Sequence, residues 1–337
     1  MDIALLAHEK FPDEAKTALG ILRYSDDTVV AVLDRDSPGT RVHDTVPDVQ
    51  DAPVVASIDD VDSYDALVIG IAPIGGGFDD TWRDDVRTAL KAGKDVISGL
   101  HYFLEDDEEF AQLAAEHGAD IWDVRKPHDD LTVAQGIADS VDAEVILTVG
   151  TDCSVGKMTV SLELARAAQD RGIDAEFIPT GQTGIMIEGW GNPVDRVVSD
   201  FTAGAVEEMI LEKGNDHDYL FVEGQGTIIH PAYSAVTCGI LHGSMADKLV
   251  LCHAAGREAI HGYESFALPD FSTYRQLYED LARPVHETEV VAGALNTRSV
   301  EGDEDAQAAV DDFADAIDAP ATDPVRFDPD TILDEVL

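Results

Sequence analysis

The sequence predicts an α/β protein of two doubly wound units, and three observations carry that prediction. Short, continuous apolar runs alternate with amphipathic stretches of helical period, the pattern of parallel strands covered on both faces. The alternation begins afresh near the middle of the chain, where an apolar run leads through a glycine-bounded, lysine-bearing loop into a helix-like stretch. At 337 residues the chain is long enough to bury two cores.

Taken in order, Thr28–Leu33, Ala66–Ile71 and Asp95–Ser98 read as buried strands. Between and after them, Asp79 to Ala92 and Asp106 to His117 read as amphipathic helices, stopped by Gly93 and Gly118. A strand at 120–124 closes this unit. Together these elements predict a Rossmann-like domain over residues 1–125. The dinucleotide fingerprint is missing. The one glycine cluster, Gly75 to Gly77 after Ala72-Pro73-Ile74, opens no helix and is either a flexible turn or a substrate-facing loop at a strand end.

Residues 126–142 are expected to connect the units, and a P-loop NTPase-like domain is expected over 143–337. Its elements are a strand at 143–149, a helix at 157–171, a strand at 175–178, a helix near 200–213, and strands at 219–222 and 248–252. From about residue 301, acids interleaved with alanines predict a surface helix and an acidic tail.

Composition narrows the function classes. There are 68 acidic and 22 basic residues, a formal net charge of −46, and only eight of the basic residues are lysines. A disordered acidic chain is excluded, because 45% of residues are hydrophobic and regularly patterned. The balance instead predicts a halophilic protein kept soluble by an acidic coat. With no basic stripe to neutralise phosphates, nucleic acid is not an expected partner. The absence of a signal peptide and of any apolar run near twenty residues predicts no membrane association and a cytoplasmic location. Cys153, Cys238 and Cys252 have no zinc-ligand spacing and are expected to be reduced thiols.

Gly150, Thr151, Asp152, Cys153, Ser154, Val155, Gly156, Lys157, Met158 and Thr159 form the most informative stretch. Strand, glycine-bounded loop with lysine, then helix is the architecture of a phosphate cradle, in which loop amides and a helix N-terminus face an anion. Five residues, not four, separate the glycines, and Met158 stands where a magnesium-binding hydroxyl normally follows the lysine. Phosphate binding is therefore signalled more firmly than ATP hydrolysis. Cys153 is either a thiolate nucleophile activated by amide dipoles or a small residue tolerated in a tight loop.

A second constellation runs from Phe221 to Ser234. Glu223 follows an apolar strand directly, where an acid serves as general base or metal-water ligand, or merely caps a turn. His230 is a candidate proton acceptor or a structural histidine. In the third, Pro179 to Ile185, polar side chains including Gln182 and Thr183 orient a ligand or form a simple turn. Arg257, beyond the strand that ends at Cys252, is a carboxylate clamp or a surface ion pair.

These motifs together, with Val222 to Gly226 and His230 to Ser234, resemble one family over essentially the whole chain. That family pairs an N-terminal Rossmann-like domain with a C-terminal P-loop domain and is associated with D-glutamate N-acetyltransferases. The P-loop domain is also similar to dethiobiotin synthetase, whose loop shares the Gly-Thr-Asp opening and five-residue spacing but follows its lysine with threonine. The resemblance implies acetyl transfer from acetyl-CoA to the amino group of D-glutamate or a related D-amino acid. It implies that Lys157 and the loop amides hold coenzyme A phosphate and that Glu223 or His230 takes the ammonium proton. Gln225 or backbone amides would steady the oxyanion, and Gln182, Thr183, Tyr233, Ser234 and Arg257 would face the substrate. Cys153 would be a possible acetyl carrier, and a homo-oligomer is expected by the same analogy. Two rivals stand beside this reading: a Mg-ATP-dependent ligase or kinase with Glu223 and Thr159 on magnesium, and a non-catalytic nucleotide-binding regulator.

Overall fold

A computed structural model describes residues 1–73 and 75–337; Ile74, in the stretch that leads into the glycine cluster, lies outside the described residues. The chain divides into two compact units, Met1–Pro127 with Gln182–Arg196, and His128–Gly181 with Val197–Leu337.

The first unit begins with β1 (Asp2–Leu6), α1 (Lys16–Tyr24), β2 (Thr28–Leu33), β3 (Val54–Val55) and β4 (Ala66–Ile69). It continues through α2 (Arg83–Lys91), β5 (Asp95–Ser98), α3 (Glu108–His117) and β6 (Ile121–Asp123). The strands pair in parallel in the order β3-β2-β1-β4-β5-β6, the Rossmann order. The central strand β1 and its helix α1 are absent from the sequence reading, and the expected strand over 66–71 ends at Ile69. Asp107 starts α3 by accepting hydrogen bonds from the N–H groups of Glu109 and Phe110, and Gly118 ends it in the left-handed region at φ 70°. The loop after β1 contains no glycine, and Asp34, at the end of β2, accepts bonds from Glu9 N–H and the Ser37 hydroxyl. This acid is therefore engaged within its own fold at the position where dinucleotide enzymes grip a ribose.

The second unit starts with β7 (Glu144–Gly150), α4 (Lys157–Asp170) and β8 (Ala175–Ile178). The next helix, α5 (Gln182–Glu188), groups with the first unit, where Ile185 and Met186 are buried in the core. The second unit resumes with α6 (Thr202–Lys213), β9 (Tyr219–Val222), α7 (Ser234–Ser244) and β10 (Lys248–Ala254). A small antiparallel hairpin follows, β11 (Ala259–Ile260) and β12 (Tyr263–Ala267). The chain ends with α8 (Phe271–Ala282), β13 (Glu289–Asn296), α9 (Asp303–Ile317), β14 (Ala321–Thr322) and α10 (Asp330–Val336). The main sheet is parallel, in the order β14-β13-β10-β7-β9-β8. Successive connections depart to opposite sides of β7, so a crevice opens at its C-terminal end, where sheets of this kind bind ligands. The acidic tail expected at the C-terminus is instead ordered: Ile332, Leu333 and Val336 of α10 are fully buried. No helix among the described residues is long and apolar enough to cross a membrane.

Candidate active site

The crevice at the end of β7 is built by residues that the topology leaves little freedom. The chain leaves Gly150 and reaches α4 through Gly156, whose φ of +108° is a conformation that strains any side chain. Lys157, the first residue of α4, is 6% exposed, and its Nζ donates to the Asp152 carbonyl oxygen at 2.8 Å. The first-turn N–H groups of α4 and its dipole add positive potential to the same loop. Met158 is buried, so the position after the lysine presents a packed thioether and no hydroxyl; Thr159 is half-buried on the next position.

Beneath the loop, hydroxyls join three elements. Thr148 Oγ1 lies 2.9 Å from Ser161 Oγ and accepts from Gly224 N–H at 3.1 Å, while Ser161 Oγ donates to the Val222 carbonyl at 3.2 Å. A Cβ at Gly224 would fall 1.7 Å from the Thr148 carbonyl oxygen, so the exit from β9 passes only as glycine. Glu223, 7% exposed, accepts on Oε2 from the N–H groups of Thr180 (3.1 Å) and Gly181 (3.0 Å). The Thr180 hydroxyl donates back to the Glu223 carbonyl at 2.7 Å. Gln225 directs its amide nitrogen to the Thr180 carbonyl at 2.6 Å and to Thr180 Oγ1 at 3.2 Å.

Asp152 is fully buried and organises the front of the loop. Its Oδ1 accepts from Cys153 N–H at 2.7 Å; its Oδ2 accepts from Arg257 Nη1 at 2.6 Å and His261 N–H at 2.8 Å. Arg257 therefore meets a carboxylate of its own chain. At the back, the Tyr274 hydroxyl donates to the Thr151 carbonyl at 2.7 Å and the Tyr278 hydroxyl to the Gly150 carbonyl at 2.7 Å. Burial pushes the Tyr278 phenol up to about 12 and raises that of Tyr274 as well. His253 Nδ1 lies 2.7 Å from Thr151 Oγ1, and burial brings the ring down to about 4.

His230 is 1% exposed and holds Tyr233 and Tyr263 against its ring, with centroids 4.5 and 5.2 Å away. Its Nδ1 accepts from the N–H groups of Ala232 (3.0 Å) and Tyr233 (3.2 Å). Burial lowers its pKa, with Lys157 adding to the effect and Asp152 opposing it. A ring nitrogen of His230, Cys153 Sγ and an Asp152 carboxylate oxygen lie within 4.8 Å of one another. Both Asp152 oxygens and His230 Nδ1 also accept hydrogen bonds from the surrounding chain.

Tyr233 is 47% exposed at the start of α7, and Ser234 opens that helix half-buried. Gln182 and Thr183 are engaged within the first unit. Gln182 Oε1 accepts from Arg125 Nη2 at 2.8 Å, and Thr183 Oγ1 lies 3.0 Å from Thr17 Oγ1. Sequence reasoning missed Tyr274 and Tyr278 altogether. Their signal was the i, i+4 spacing that puts two tyrosines on one face of a helix.

Comparison with known proteins follows this architecture. Residues 35–127 match a Rossmann-like domain of unknown function, DUF1611_N, and residues 132–333 match its P-loop counterpart, DUF1611_C. A D-glutamate N-acetyltransferase of Tritonibacter scottomollicae is 34% identical over 321 residues, 95% of this chain and 93% of that protein. Another so named, from a Pseudoalteromonas species, is 35% identical over 268 residues, 79% of this chain and 80% of that one. The crystal structure of a DUF1611 family protein from Anabaena variabilis superposes with a TM-score of 0.95 at 39% identity, over 99% of this chain and 98% of that one.

Proposed function

This chain belongs to the DUF1611 family, the family of the D-glutamate N-acetyltransferases it resembles, and from that premise we propose that it moves an acetyl group from acetyl-CoA to the amino group of D-glutamate or a close D-amino acid. The observation that carries the coenzyme assignment is the form of the cradle. It keeps the buried Lys157, the loop amides and the α4 N-terminus, yet places buried Met158 where a magnesium hydroxyl would stand. Such a cradle suits holding the pyrophosphate or 3′-phosphate of coenzyme A more than cleaving a nucleotide.

In this reading the substrate ammonium loses its proton to Glu223, whose carboxylate is aimed by two backbone N–H bonds. The amine then attacks the thioester carbonyl, the C–S bond breaks, and the departing coenzyme A sulfur takes the second proton that the nitrogen gives up on becoming an amide. Transfer is direct. A cysteine relay would need a base for the Cys153 proton, and His230 has its Nδ1 lone pair committed to two backbone donors. Arg257 fixes Asp152 and the loop through Nη1.

Calorimetric titration with acetyl-CoA and with Mg-ATP tests the reading, run in molar salt because the chain carries a net charge of −46. Acetyl-CoA should bind and Mg-ATP should not. Lys157→Ala should weaken acetyl-CoA about tenfold to a hundredfold, the worth of one charge-assisted hydrogen bond. Thiol release should follow addition of D-glutamate and not of L-glutamate. A wild-type protein with no affinity for acetyl-CoA ends this assignment.

A further inference from the structure

We propose that His230 is a catalytic hydrogen-bond donor, held as its neutral Nε2–H tautomer, that polarises the thioester carbonyl and carries the oxyanion formed there. The identity of that oxygen rests on the acetyl-transfer reading above; the tautomer rests on geometry alone.

Nδ1 of His230 accepts from two backbone N–H groups, those of Ala232 and Tyr233. A proton on Nδ1 would face both donors, so the single proton of a neutral ring resides on Nε2. A second proton is opposed by three features. The ring is 1% exposed, its two amide partners immediately precede α7, whose N-terminal dipole disfavours a cation, and Lys157 adds like charge. The other groups around the ring are Cys153, Tyr233 and Tyr263, together with Asp152, which favours the cation. Burial outweighs Asp152, and the ring titrates below its ordinary value.

The reaction has use for such a donor. As the amine nitrogen bonds to the carbonyl carbon, the C=O π pair moves onto oxygen, and the ammonium proton has already passed to Glu223. Collapse re-forms the carbonyl and breaks the C–S bond; the electron pair leaves on coenzyme A sulfur, which takes the second proton that the nitrogen gives up as it becomes an amide. No proton crosses His230 at any stage; its N–H stabilises charge from a buried ring, 1% exposed. Gln225, the side-chain amide otherwise suited to this task, already gives its nitrogen to Thr180. His230 is placed for it, with a ring nitrogen within 4.8 Å of Cys153 Sγ on the phosphate loop.

Nitrogen-15 NMR of the intact protein labelled in its histidines reads the tautomer directly, with His230→Gln identifying the signal among the 11 histidines. A neutral, Nε2-protonated ring that persists below pH 6.5 is expected. An Nδ1-protonated ring, or an imidazolium at neutral pH, overturns the proposal. In turnover, His230→Ala should lower kcat by about 10²- to 10³-fold, the usual loss of one oxyanion donor, and leave the acetyl-CoA KM in place. His230→Gln should recover part of that loss, because its amide also donates, and should leave the pH profile unchanged. A wild-type acid limb near the ordinary histidine value that disappears in His230→Gln would make the residue a base and refute the donor role. If His230→Ala does not fold, His230→Gln and the signal it identifies still decide the tautomer. If the wild type does not bind acetyl-CoA, the oxyanion assignment falls while the tautomer is judged separately.

Discussion

As pH falls from about 6.5 to about 4, the second unit should lose stability because His253 resists a proton while folded. The ring sits on β10, 5% exposed, between Phe271 and Phe313 at 4.7 and 5.8 Å. Burial lowers its pKa from 6.5 to about 4, Arg257 adds to the fall, and Asp152 opposes it. Between those values the unfolded chain binds a proton that the folded chain refuses. Stability therefore rises with pH across this window; it is fully present above the unfolded value and lost as pH drops toward the folded one. At about 1.4 kcal/mol per pH unit the whole window is worth roughly 3 kcal/mol. Urea unfolding in high salt, followed over this pH range for wild type and His253→Gln, measures it. Glutamine keeps a hydrogen-bond partner for Thr151 and does not titrate. The 68 acidic residues titrate in both proteins, so only the difference between the two curves is diagnostic. That difference should change by roughly 3 kcal/mol across the window. Parallel curves would refute the reasoning.

Three further outcomes are expected. Glu223→Gln should reduce kcat by about 10²- to 10⁴-fold, the range for loss of a general base, and leave acetyl-CoA binding intact by calorimetry; weakened binding with normal kcat would reverse its role. Tyr278→Phe should cost about 1–3 kcal/mol in urea unfolding, because it strips a buried partner from the Gly150 carbonyl and from Ile228 N–H; an unchanged midpoint would show that both groups find other partners. Cys153→Ala should retain most of its turnover, and intact-mass spectra of wild type mixed with acetyl-CoA alone should show no acetyl adduct. A trapped acetyl-Cys153 would establish the relay that direct transfer excludes.

Where one local run of sequence carried the signal, the structure was legible. β2 and β9 lie where continuous apolar residues placed them, and the turn from Gly150 through Gly156 into α4 follows from strand, glycine and lysine alone. β1 escaped notice because its short apolar run, Ile3 to Leu6, has no preceding element or turn signal to frame it as a strand. β13 is diluted by alanine and by Gly293, where a Cβ would meet Ile317 of α9 at 2.5 Å. Features that bridge distant parts of the chain were not legible. Arg257 reaches Asp152 across 105 positions, a support for the loop that no local run of sequence displays. Gln182 and Thr183 read as ligand-facing from their motif, but the burial of Ile185 and Met186 decides which core their helix joins. The tyrosines of α8 are disguised by their hydroxyls, which is why two fully buried side chains look like surface residues in the sequence.

Lys157 lies buried at the head of α4 in a chain whose formal charge is −46. The anionic acetyl donor proposed above, diffusing toward that lysine, would first have to cross a repulsive field, and in dilute buffer its encounter rate would suffer. At about 1 M salt the Debye length shrinks to about 3 Å, the repulsion is confined to contact range, and capture by the loop amides is limited by orientation instead. Ionic strength then acts as a throttle on substrate arrival, with a sign opposite to that of oppositely charged partners, whose association salt slows.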